Sequence, residues 1–321
     1  MRRNDYDVTD SIHTTDPAAV GAEVVRIYQA LYDNAPTREL DRAFGDAAAL
    51  YRGRHPEYFA CDTEYHDIQH VMDVTLAMSR LLDGYERTRR SDDDPLTREI
   101  FLVGVLSALF HDFGYLRRRN DRRHRHGAEY TLTHVSRGST FLRSYVRELG
   151  MDDKCARAAS ILVHYTGYER PTETIRLNDT LLRRVGQMLG TADIIAQMSD
   201  RCYLEKCRDR LYPEFVLGGL AGHKLAAMRK LPLFTSGEDL VHKTPGFYEI
   251  ATKRLDLQLA RAYDYAGCHF GGSNPYLDEM RKNVRYAKVV ASSPSAQLLR
   301  RQPPSTQPPE VEPYQWHLIG C

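Results

Sequence analysis

This chain of 321 residues has no excess of charge of either sign, with 44 basic residues against 43 acidic. No global attraction to nucleic acid or to a membrane surface follows from such a balance. It also lacks a long hydrophobic run. The longest apolar stretch, Phe101 to Phe110, is broken by Gly104 and Ser107. That is too short to span a bilayer and suits a buried core helix. Paired cysteines are missing as well: the six stand at 61, 155, 202, 207, 268 and 321. Without CxxC spacing they suggest neither a disulfide framework nor a zinc knuckle. The opening MRRNDYDVTDSIHTTD is polar and has no apolar stretch of the signal-peptide kind. Reduced thiols in a cytoplasmic protein are expected. There is no internal repeat.

Strand signals are nearly absent, since no run sustains an alternation of β-branched and polar residues. Helical periodicity takes their place. Val20, Val24, Ile27 and Leu31 recur at spacings of three and four, which predicts a helix over about 18–33. His70, Val74, Ala77, Met78, Leu81 and Leu82 predict another over 66–82. Further helices are expected over about 98–112, 127–149, 153–165, 180–200 and 246–265. The expected fold class is all-α. Residues 1–59 read as an N-terminal helical extension, 60–215 as the core and 216–291 as a C-terminal helical extension. Residues 84–96 read as a charged loop, and the Pro-, Ser- and Gln-rich stretch 292–321 as a disordered tail. Its closing Trp316 to Ile319 offers a short apolar anchor.

Thirteen histidines occur in the chain, and their clustering between positions 66 and 164 is the first chemical clue. In Tyr65-His66-Asp67-Ile68-Gln69-His70, two imidazoles stand at i and i+4, about 6 Å apart if helical. Alone, that pattern is more often a solvated helix face. A sharper signal follows. Leu106-Ser107-Ala108-Leu109-Phe110-His111-Asp112-Phe113-Gly114 runs an apolar helix into a His-Asp pair. Burying a carboxylate and an imidazole there is costly unless something compensates, and a divalent cation does so directly. A helix C-cap with Gly114 in a left-handed turn would explain Gly114, but not the pair before it. His134 and His164 each lie within an otherwise amphipathic segment and, taken singly, would be core histidines. Asp193 stands among small and apolar residues in Gly190-Thr191-Ala192-Asp193-Ile194-Ile195 and needs a partner.

Taken together, the order His…His-Asp…His…His…Asp resembles the HD superfamily of metal-dependent phosphohydrolases. YHDIQHVMDV with FHDFGY is similar to its cyclic-nucleotide phosphodiesterase branch, and HVSRGSTFLRSYVRELGM followed by ILVHYTG to its HD-GYP branch. The resemblance covers about residues 60–210. It implies an all-helical core around a binuclear metal site. His70, His111, Asp112 and Asp193 match the first metal's ligands, with Asp112 bridging. His134 and His164 match the pair that holds a second metal. His66 matches the histidine that protonates the leaving oxygen. Two divalent ions are thereby implied, drawn from Mn, Fe, Zn, Ni or Mg. Tyr115 stands where the HD-GYP branch has a lysine, Tyr165 replaces its second consecutive histidine, and the GYP motif is missing. These departures speak against cyclic di-GMP. The nucleotide-clamping segment of the phosphodiesterase branch is not recognisable either.

The expected function is hydrolysis of a phosphoester, such as a phosphodiester or nucleotide. Two metals about 3.5 to 4 Å apart would share a bridging hydroxide and polarise the phosphoryl oxygens. His66 and Asp112 carry the expected catalytic roles, and Asp67 or Glu64 could keep His66 protonated. Six arginines fall within residues 117–125. They read either as a solvated surface or as an anion funnel, with Arg117, Arg118 and Arg122 gripping phosphate. Nucleic acid is a weaker partner, because no aromatics interleave. Gln197, one turn after Asp193, is placed to face substrate, and His126 with Glu129 to support the site. Two other functions share this ligand series: an HD-fold di-iron oxygenase, and a non-catalytic nucleotide-binding sensor. The expected partner is a small phosphorylated substrate rather than a membrane, with a homodimer left open.

Overall fold

The computed structural model describes residues 2–168, 170–221, 234–293 and 298–306. Among these the structure is all-α, without a sheet; strand-like pairing is limited to isolated bridges, Tyr6 to His13 and Tyr58 to Arg118. The helices are α1 (Pro17–Leu31), α2 (Arg38–Tyr51), α3 (Ile68–Thr88) and α4 (Arg98–Leu109). Then come α5 (His134–Glu148), α6 (Asp153–Leu162), α7 (Thr180–Ser199) and α8 (Tyr203–Lys206). A π-helical turn, Cys207–Leu211, leads into α9 (Tyr212–Leu217). The last are α10 (Gly237–Lys253), α11 (Asp264–His269) and α12 (Pro275–Ser292). No helix among the described residues is long and apolar enough to cross a membrane.

The core is built around α3 and α4. Helix α4 is apolar on every face and is buried from Phe101 to Leu109, as a helix with no polar stripe must be. Helix α3 is buried from Ile68 to Met72 and from Val74 to Tyr85, packing against α1, α4, α7 and α11. Where α3 buries polar groups, each has a partner. The Thr75 and Ser79 hydroxyls donate to the carbonyls of Val71 and Leu76. Arg80 meets Asp7 at 2.6 Å and the Tyr276 hydroxyl at 2.9 Å, tying the N-terminal segment and α12 to α3.

Several expected boundaries move, for local reasons. Helix α3 starts at Ile68 because Asp67 caps it, accepting from the His70 amide at 2.9 Å. It continues through 84–88, expected as loop, because Gly84 and Tyr85 are buried with the rest of its face. The single helix expected over 127–149 is instead a 3₁₀ turn, Gly127–Tyr130, followed by α5. Likewise 153–165 divides into α6 and a 3₁₀ turn, Val163–Tyr165. The 246–265 helix is the second half of α10, a π turn (Arg254–Gln258) and the start of α11. Helices α2 and α12 lie in the stretches expected as helical extensions, and the sequence reading gives no bounds for either.

The expected tail is corrected in part. Helix α12 reaches Ser292, and residues 298–306 lie against the body. There the Leu298, Leu299 and Pro304 carbonyls accept from Tyr286, Arg208 and Arg210. Composition marks this segment as structureless, but its backbone finds donors on a neighbouring surface. Trp316 to Ile319 lie outside the described residues.

Candidate metal centre

Four elements converge on one point. Helix α3 presents His70 in its first turn, the turn after α4 presents His111 and Asp112, α5 opens on His134, and α7 carries Asp193. His70 Nε2 lies 3.3 Å from His111 Nε2, 3.3 Å from Asp112 Oδ2 and 3.5 Å from Asp193 Oδ1. His111 Nε2 is 3.1 Å from Asp112 Oδ2. The other oxygen of Asp112, Oδ1, stands 3.6 Å from His134 Nε2.

The close approach of α5 depends on Gly114. It does not take the left-handed conformation that a simple helix C-cap would give it. Instead it sits in a 3₁₀ turn, Phe113–Tyr115, where a Cβ would fall 1.9 Å from the His134 carbonyl oxygen. Only glycine lets the start of α5 reach the His-Asp turn.

The protonation pattern of this cluster calls for a cation. His111 Nδ1 lies 2.8 Å from the Ala108 carbonyl, and His134 Nδ1 lies 2.7 Å from the Thr131 carbonyl. A carbonyl only accepts, so each Nδ1 carries a proton and each Nε2 is the atom turned toward the carboxylates. Each Nε2 faces a carboxylate oxygen in a largely buried setting, an arrangement that only positive charge, a proton or a metal ion, stabilises. Among the described residues, Asp112 Oδ2 is buried with no hydrogen-bond partner. Burial opposes charge on His70, yet Asp112 and Asp193 outweigh it and push its pKa up to about 10. Burial likewise opposes charge on Asp112, but His111 and His70 hold its carboxyl well below the usual range. Burial lowers His134, keeping that ring neutral. The pocket therefore selects positive charge at its centre. His70, His111 and Asp193 offer ligand atoms within 4.8 Å of one another and form the candidate metal site. Imidazole nitrogens with carboxylate oxygens suit a divalent transition ion.

His66 stands beside this cluster, in the loop before Asp67 rather than on α3. Its ring centroid is 5.8 Å from that of His70. The residue that holds it is neither Asp67 nor Glu64. Asp67 is occupied in capping α3, while Glu214 of α9 places Oε2 2.6 Å from His66 Nδ1. Glu214 is buried, and its other oxygen accepts from the Tyr65 and His66 amides. Burial disfavours a charged His66, but Glu214 more than offsets this, so the pKa is raised. Tyr115 lies nearly parallel to both His66 and His134, with centroids 4.4 Å from each. Glu214 is not among the expected site residues, and Tyr115 enters the sequence reading only as a departure from the HD-GYP pattern. The only signal for Glu214 was an acidic residue inside the apolar Tyr212–Phe215 run, and nothing in that spacing names His66 as its partner.

The remaining anticipated residues fare differently. His164 is buried on the 3₁₀ turn that packs against α5 and α7, outside the His70–His111–Asp193 group. That turn fits against α7 because a Cβ at Gly190 would lie 2.5 Å from the Tyr165 carbonyl. Gln197 donates to Asp193 Oδ1 at 3.4 Å and accepts from the Tyr65 hydroxyl at 3.1 Å, so it steadies a ligand rather than facing open space. The arginine run is largely committed to its own surface. Arg117 pairs with Asp62 at 2.9 Å and Arg118 with Glu57 at 3.5 Å, while Arg119 donates to the His55 and Gly53 carbonyls. Arg117 and Arg118 thus already face carboxylates, and Arg122 is exposed. His126 caps the 3₁₀ turn Gly127–Tyr130, and Glu129 within that turn accepts from the His126 amide.

Fold and site together define an all-helical protein with a buried histidine–carboxylate centre suited to a metal ion. A structure with the same overall arrangement is the phosphodiesterase domain of the RhoPDE fusion protein from the choanoflagellate Salpingoeca rosetta. It aligns over 90% of this chain and 95% of its own length, with a TM-score of 0.53 and 16% sequence identity. At that identity the likeness is one of fold. No family model and no curated protein matches the sequence.

Proposed function

We propose that this chain is a metal-dependent phosphohydrolase of the HD type, acting on a phosphodiester or nucleotide. The observation that carries the reading is the half-buried His66, held by the buried Glu214 and set beside a candidate metal-binding cluster. A proton donor for a poor leaving group and a cation site for the charged phosphoryl oxygens both favour cleavage of an anionic ester. The likeness of fold to a phosphodiesterase domain supports it.

In this reading His70, His111, Asp112 and Asp193 would hold one ion, and His134 and His164 would hold a second with Asp112. Divalent ions there would lower the pKa of water and draw charge from the phosphoryl oxygens. The chain's own residues supply the rest. Glu214 fixes the His66 ring through Nδ1, so Nε2 is the nitrogen that delivers a proton. As the bond from phosphorus to the departing oxygen breaks, that oxygen takes the Nε2 proton; the new bond to phosphorus comes from the oxygen of water, and the proton this water releases makes good, through solvent, the one His66 gave up. Gln197 and Tyr65 hold Asp193 in place.

His66→Ala tests this directly. It should keep its metal, because His66 is not in the ligand set. Turnover of a diester with a poor alkoxide leaving group should fall by about 10² to 10⁴. The loss should be much smaller on a p-nitrophenyl diester, whose leaving group departs unprotonated. Equal losses on both substrates would remove His66 from the acid role.

A further inference from the structure

We infer that residues 298–306 form a positioning strap for the His66–Glu214 pair, an inference that rests on the function proposed above. The strap crosses the helical stretch that follows α7. Its register is set by anchors along the way: Leu299 is buried, the Arg301 amide donates to Glu205, and the Gln302 carbonyl accepts from Asn4. This delivers Thr306 to Asp67, the residue after His66, where the Thr306 hydroxyl donates to Asp67 Oδ2 at 2.5 Å.

Asp67 and Arg210 make the connection. One oxygen of Asp67 caps α3 through the amide of His70. Its other oxygen receives Thr306 and the Arg210 guanidinium, the latter at 3.3 Å. Arg210 also reaches the Glu64 carbonyl at 3.4 Å and the strap's Pro304 carbonyl at 2.6 Å. Arg210 lies on the π turn four residues before Glu214. The loop that carries His66 and the helix that carries Glu214 are therefore pinned together on two groups of the strap. Anchors from Leu299 to Gln302 tie the segment to the body. The contacts at Pro304 and Thr306 reach past them to the two arms that grip the proton donor. A proton donor misplaced by a fraction of an ångström loses much of its effect, so this pinning bears on rate.

The test uses point variants of the full chain loaded with Zn²⁺. Thr306→Ala should retain its zinc but turn over a poor-leaving-group diester about tenfold more slowly, with little loss on the p-nitrophenyl diester. Thr306→Ser should restore the rate. The His66 Nδ1 proton, shared with a carboxylate, should give a far-downfield ¹H resonance that shifts or broadens in Thr306→Ala and returns in Thr306→Ser. Arg210→Lys, which cannot bridge Asp67 and Pro304 with a planar fork, should repeat the Thr306→Ala pattern. The inference is overturned if Thr306→Ala and Arg210→Lys both keep the wild-type leaving-group preference and an unchanged resonance. A failure of the general-acid reading would appear separately, as a His66→Ala enzyme with equal losses on both esters; the resonance would then still decide whether the strap positions His66.

Discussion

His66 and Glu214 stand 148 positions apart in the chain and 2.6 Å apart in the fold. That distance in sequence is why half of the pair was legible and half was not. The His111-Asp112 pair announces itself because both groups are contiguous and follow an apolar helix; a carboxylate arriving from α9 has no such marker. The pair also fixes a pH dependence. A general acid works while protonated, and Glu214 raises the His66 pKa against the pull of burial. Activity should therefore persist above the ordinary imidazole range and decline as pH rises through the raised pKa. Glu214→Gln removes the charge that raises it, so the basic limb should move to lower pH in a kcat/KM profile. A limb that stays where it was in the wild type would assign that ionisation to another group.

Among the elements, helices with apolar spacings of three and four were readable, as α1, α3 and α7 show, because burial on one face dictates that spacing. What was not readable is how the chain ends its helices. The α-helix expected through 127–133 gives way to a 3₁₀ turn because His126 and Glu129 cap it locally. The segment 298–306 is ordered by arginines on another element, which its own composition cannot reveal. The N-terminal segment is held in a comparable manner, through Asp7 and Arg80, both buried. Removing one partner of such a pair leaves an uncompensated charge and costs about 3 to 5 kcal/mol. Asp7→Asn should accordingly lower the urea midpoint. Burial raises the Asp7 pKa, but Arg80 and the Ile12 and Ser11 amides outweigh it, so the carboxyl sits below its usual 3.8. Its stabilisation is present above that value and is lost as pH falls through the lowered one. The wild type, but not Asp7→Asn, should show this component on acidification. An unchanged midpoint in Asp7→Asn would mean that the pair contributes nothing net.

At the scale of the whole molecule, four elements far apart in sequence bring imidazoles and carboxylates to one buried centre, and the account stands or falls on what that centre does. The most direct measurement is turnover of a phosphodiester panel by protein reconstituted with defined Mn²⁺, Fe²⁺, Zn²⁺ or Ni²⁺ in ¹⁸O water, without dioxygen, beside Asp112→Ala. Metal analysis of both proteins belongs to the same experiment, since Asp112 faces His70 and His111 with one oxygen and His134 with the other. The account predicts metal-dependent release of a phosphomonoester carrying solvent oxygen, with no need for dioxygen. It predicts that Asp112→Ala loses both this activity and most of its metal. A strict requirement for dioxygen, no hydrolysis with any ion, or full metal occupancy in Asp112→Ala would contradict it.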